Sequence, residues 1–199
     1  MKLIDLLSVA GSVMAGSEPP CSLVEAVKLV HTAIVNRLVQ VRSDALVEEL
    51  LVDVPANDNA GYLPDEFLSL ASRPQIVGGA FISQLPSSDT STLEIAGTPK
   101  YYQVIGKALL LYPPTDKALT LKLLARLRPA SPSAMQDVFP FNGEFDQIYT
   151  DGVVAILTGG LPGMIAKQYL PVVQSQVDQL LSGAAGDSEQ AMADSINGL

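Results

Sequence analysis

The side chains able to carry acid–base or nucleophilic chemistry are few, and each lacks the partners that such chemistry needs. His31 is the single histidine and Cys21 the single cysteine of 199 residues. A Ser-His-Asp triad could use only His31, a zinc site of several Cys and His ligands is excluded, and no disulfide can close within the chain. His31 flanks an apolar helical stripe, the position of a packed helix residue. Cys21 directly precedes a helix start, which can lower a thiol pKa, but one such cysteine reads as inert. Asp53, Asn57, Asp58 and Asn59 supply oxygen atoms without the spaced carboxylates and closing glutamate of an EF-hand loop, so they read as a turn. Adjacent Asp65 and Glu66 read as solvated surface. Thr158-Gly159-Gly160-Leu161-Pro162-Gly163 has no Lys-Ser or Lys-Thr pair to hold phosphate and reads as an interhelical hinge. These residues point away from an enzyme, and neither a metal nor a cofactor is expected.

The rest of the composition describes packing. The chain is 48% hydrophobic and 17% charged, with 21 acids against 12 bases and a formal charge of −9. A chain this long buries roughly 70% of its unfolded surface, which excludes disorder for its bulk. The acidity argues against a surface that grips nucleic acid, and the absence of tryptophan argues against stacking platforms. Resolved along the chain, residues 1–99 carry 12 acids and 5 bases, 100–128 carry 1 acid and 6 bases, and 129–199 carry 8 acids and 1 base. Half of the bases therefore fall in one short stretch: Lys100, Lys107, Lys117, Lys122, Arg126 and Arg128. They form a candidate subunit interface, a basic patch for an acidic neighbour such as another copy of the chain, with a local nucleic-acid contact as the competing reading.

The elements that must position these residues follow from periodicity. Residues 3–14 form an apolar helix. Asp5 interrupts it and no clean cleavage pattern follows, so a signal peptide is not expected, and no apolar run approaches a membrane span. Ser22 with Glu25 is a capping box opening a helix whose stripe is Leu23, Val27, Val30, Ile34, Leu38 and Val41. From Leu46 the period shifts to two. Strands are predicted at 47–54, 75–77 and 80–85, a hairpin at Tyr101–Ile105 and Ala108–Tyr112 around Gly106-Lys107, and a one-sided strand over 118–128. Helical spacing returns with Phe145, Ile148, Gly152 and Ile156, then over 163–181 with a kink or restart at Pro171. The expected fold class is α+β: a helical bundle with an inserted small antiparallel β lobe and a flexible C-terminal tail. The expected divisions are N-terminal helices over 1–45, the lobe over 46–136, C-terminal helices over 137–182 and the tail over 183–199.

Four short motifs recur in order: Leu63-Pro64-Asp65-Glu66-Phe67-Leu68, Gly97-Thr98-Pro99-Lys100-Tyr101-Tyr102, Leu109-Leu110-Leu111-Tyr112-Pro113 and Phe145-Asp146-Gln147-Ile148-Tyr149. With the flanking helices, this succession over residues 3–180 resembles the head-to-tail adaptor proteins of tailed bacteriophages. The resemblance implies a structural virion protein at the neck, made in the host cytoplasm. It implies a ring of identical subunits, commonly a dodecamer, beneath the portal protein and above the tail or nozzle protein, with double-stranded DNA passing through without specific binding. It also implies that the C-terminal segment docks on the portal, which makes Ser188, Met192, Ile196 and Leu199 the candidate docking residues. A neck stopper or tail completion protein, or a non-viral acidic interaction module, is the alternative; a carboxylate-dependent hydrolase ranks third.

Overall fold

A computed structural model describes residues 1–13, 19, 21–86, 96–158 and 171–182. The chain divides into two compact units, a helical one made of Met1–Arg42 with Pro129–Leu199 and a β unit made of Ser43–Arg128.

The helical unit contains α1 (Leu3–Val13), α2 (Leu23–Gln40), α3 (Asp146–Thr158) and α4 (171–182). α2 starts where its capping box predicts: the Ser22 hydroxyl accepts the Glu25 amide at 3.2 Å while the Glu25 carboxylate accepts the Ser22 amide at 2.9 Å. Two donors that the first turn would otherwise leave unmet are thereby satisfied. Val27, Val30, Ile34 and Leu38 are buried, and Glu25, Lys28, Thr32, Asn36 and Gln40 are exposed. Val41, the last residue of the expected stripe, lies beyond the helix and is exposed. Leu3, Leu6 and Ala10 bury one side of α1, whereas Ile4, Leu7 and Val9 remain exposed. α1 is tied to the chain ahead of α3, because the Leu3 amide donates to the Asp137 carbonyl and the Phe139 amide to the Met1 carbonyl. Phe145, Tyr149, Val153 and Ile156 complete the buried side, with Val173 and Val177 of α4.

The β unit holds two four-stranded sheets. In the first, β8 (Leu119–Leu127) is flanked on one side by β1 (Val47–Val54) and on the other by β3 (Phe67–Leu70) and β4 (Gln75–Ile76). In the second the order is β2 (Ala60–Tyr62), β7 (Ala108–Tyr112), β6 (Tyr101–Ile105), β5 (Ser83–Gln84), with β5 parallel to β6 and the other pairs antiparallel. The β6–β7 hairpin turns at Gly106-Lys107, where Gly106 has φ +60°, a conformation that glycine adopts without strain. Alternation along β8 is as the sequence requires: Leu121, Leu123 and Ala125 are buried, and Thr120, Lys122, Leu124 and Arg126 face away. The core joins Val52, Val54, Leu63, Ile82, Leu109, Leu111, Leu121 and Leu123 from both sheets.

This overturns the expected helical bundle with a small lobe. Among the described residues the protein is mixed α and β, with four helices, two sheets and about 28% strand. The apolar face of β1 and β8 needs a cover of matching size, and a second sheet supplies it. The strands missed from the sequence, β2 and β3, have only 3 and 4 residues, too few for a period to show. The tail over 183–199, with Ser188, Met192, Ile196 and Leu199, lies outside the described residues, as do the glycine-rich stretch after Thr158 and the start of the helix expected over 163–181.

Candidate functional site

His31 sits on the buried side of α2, 5% exposed. Its Nε2 lies 3.0 Å from the Pro129 carbonyl, which can only accept, so Nε2 carries the proton. Nδ1 then accepts from the Tyr149 hydroxyl at 2.7 Å. Tyr149 is fully buried, its ring edge-on to Phe139 at 4.4 Å, and burial, with the nearby Asp146 charge second, pushes its phenol far above the ordinary value. The pair joins α2 to α3 and to the chain where it re-enters the helical unit. With both ring nitrogens engaged indoors, His31 is a structural residue. Burial also raises the Cys21 thiol, Glu25 adding to the effect, which is the opposite of activation. Asp58 accepts the amides of Asn59 and Ala60, and Asn57 takes a left-handed φ of +61°, so the acidic stretch is a turn. Among the described residues no cluster of His, Cys, Asp and Glu could hold a metal, and no helix is long and apolar enough to cross a membrane. Two open clefts of about 580 and 590 Å³ lie in the β unit; Arg73 is the charged side chain of the first and Asp53 that of the second.

The six bases are spread over several elements of the β unit. Lys100 precedes β6, Lys107 is in the β6–β7 turn, Lys117 is in the turn before β8, and Lys122, Arg126 and Arg128 lie along or just past β8. Three are held by acids of the same unit: Lys107 by Asp65, Lys122 by Glu49 and Arg126 by Asp44 at 3.1 Å. The Lys107 ammonium holds the Asp65 carboxyl below its ordinary range. Charge summed along the sequence misses this, because the antiparallel register sets acidic β1 beside basic β8. Lys100 and Lys117 are exposed and form no ion pair among the described residues.

Sequence reasoning missed the outward face of the second sheet. Tyr62, Ala108 and Ile105 are direct neighbours across β2, β7 and β6, with Tyr62 77% and Ile105 55% exposed. The next rows on that face are Ala60, Leu110 and Gln103, then Tyr112 and Tyr101. Gln103 and, beside Tyr101 on β5, Ser83 are its polar side chains among the described residues apart from the tyrosine hydroxyls, and largely apolar surface of this kind marks contact sites. Its signal in the sequence was the run Ala108–Tyr112, apolar at every position where a one-sided strand would alternate.

No protein-family model and no curated protein matches the chain.

Proposed function

We propose that the chain is a structural subunit of a phage neck, a head-to-tail adaptor that forms a ring beneath the portal and joins capsid to tail. The observation that carries this reading is the ordered succession of four motifs, each seated at a structural junction. Leu63-Pro64 leads from β2 to β3, and Gly97-Thr98-Pro99 leads into β6. Leu109–Tyr112 lies in β7 and ends at Pro113, and Phe145–Tyr149 opens α3 with both aromatic rings buried. The surface chemistry fits a part that binds neighbours: an apolar outward sheet face beside a sheet laced with ion pairs. A net charge of −9 suits a DNA conduit, since contacts from Lys and Arg to phosphate would hold the polymer. Order-of-addition binding tests the role. An adaptor binds portal-bearing capsids lacking any tail component; binding that requires a previously attached neck protein would make the chain a stopper, and binding to neither would end the reading.

A further inference from the structure

Three successive residues ahead of α3 hold a left-handed backbone: Phe141 at φ +73°, Asn142 at φ +50° and Gly143 at φ +90°. Glycine takes this conformation freely and asparagine more readily than most residues, but a bulky phenylalanine does not, so the turn is strained. Packing holds it from one side, where the Phe141 ring lies edge-on to the ring of fully buried Phe145 at 5.0 Å. Asn142 itself is exposed. Among the described residues neither its side-chain amide nor the main-chain amide of Gly143 has a hydrogen-bond partner. Asn57 supplies the contrast. It is also exposed and left-handed, at φ +61°, but the residue after it carries a side chain, and the Asp58 amide donates to the Pro55 carbonyl at 3.3 Å. Asn36 lies inside α2, and the Ala60 amide that follows Asn59 donates to the Asp58 carboxylate at 3.2 Å.

We propose that Asn142 is a self-modification site, at which the Gly143 amide nitrogen attacks the Asn142 side-chain carbonyl and turns the residue into aspartate and isoaspartate. The Gly143 nitrogen bonds to Cγ, the bond from Cγ to Nδ2 breaks, and the nitrogen's proton leaves with the amino group as ammonia. Water then opens the cyclic imide. Opening at Cγ leaves aspartate; opening at the main-chain carbonyl routes the backbone through Cβ and Cγ and leaves isoaspartate. The reacting atoms belong to adjacent residues, so attack is intramolecular, and a glycine nitrogen has no neighbouring Cβ to crowd it. Either product places a carboxylate just ahead of α3, where the helix dipole accepts it. Isoaspartate also lengthens the backbone leading to Phe145, whose carbonyl accepts the Tyr149 amide at 3.0 Å in the first turn of α3. This inference does not depend on the adaptor reading.

The test is peptide mapping by mass spectrometry of the full chain after storage at neutral and at alkaline pH, with fragmentation that tells isoaspartate from aspartate. Asn142 exchanges its amino group for a hydroxyl about tenfold faster, or more, than Asn36, Asn57 and Asn59 of the same sample. Alkali speeds the conversion, because the attacking nitrogen must give up its proton. Asn197-Gly198, the other Asn-Gly pair of the sequence, lies outside the described residues and is scored on its own peptide. Gly143→Ser removes the lead of Asn142. Because a side chain at φ +90° is strained, Asn142→Gln, which must close a larger ring, serves as the second variant and is equally slow. Conversion at Asn142 no faster than at Asn57 and Asn59, or a rate that both variants leave unchanged, would overturn the proposal.

Discussion

In the helical unit, polar groups meet indoors or across helices: His31 with Tyr149 and Pro129, and the Arg37 guanidinium with Asp178 through two 2.7 Å hydrogen bonds from α2 to α4. In the β unit the core between the sheets is apolar, the buried Thr115 hydroxyl bonds only locally to the Lys117 carbonyl, and the ion pairs, Lys122–Glu49 and Lys107–Asp65 among them, lie on the outside. The difference follows from how each element exposes its backbone. A helix satisfies its own N–H and C=O groups, so helices sliding past one another are fixed in place by directed side-chain bonds. A sheet fixes its neighbours through the ladder, so its side chains can serve area alone, and its unmet groups collect at the edge.

That contrast can be broken by substitution. Leu123→Ala, fully buried between the sheets, should lower the unfolding free energy by about 3 kcal/mol, since lost transfer and cavity terms add. The same change at the outward neighbour Leu124 should stay within about 0.5 kcal/mol. Urea titration measures both, and equal effects would mean that the strand is not one-sided. Next in size, Tyr149→Phe keeps the ring and removes the proton offered to His31 Nδ1, a loss of about 2 kcal/mol. A neutral result would place the helical core with the apolar sandwich.

Acid should affect the helical unit before the sandwich. Hydrogen bonds hold three of its carboxyls below the ordinary range: Asp178 through Arg37, Asp137 through the Ala134 and Ser133 amides, and Glu25 through Ser22. Folded-state values below the unfolded ones make this stabilisation complete above roughly pH 4 and progressively lost as pH falls through the lower folded values. All three groups are solvent-facing, so the effect is the smallest of the set. It is checked by following helical circular dichroism in urea at pH 7 and pH 3; a midpoint unmoved by acid would remove these contacts from the stability of α2 and α4.

Much of the local structure was legible. The capping box fixed the start of α2, Gly106-Lys107 fixed the hairpin, and the leucines of β8 fixed its buried face. The assembly of the second sheet was not: β2 has only 3 residues, and both it and β5 join the β6–β7 hairpin through partners distant in sequence. For the same reason the basic stretch looked like an open patch. Glu49 lies 73 positions before Lys122 in the sequence, yet their side chains meet across the β1–β8 pair. Chemistry was legible by scarcity: one histidine and one cysteine left little to misplace, and the structure ties His31 to Tyr149 and Pro129 while burial raises the Cys21 thiol.

A chain that builds a ring at the neck, as proposed above, shows itself in electron-microscope class averages of the purified protein with and without portal: closed rings of identical subunits, expected to be dodecameric, seated on the portal. A chain that remains monomeric even with portal present would contradict that proposal.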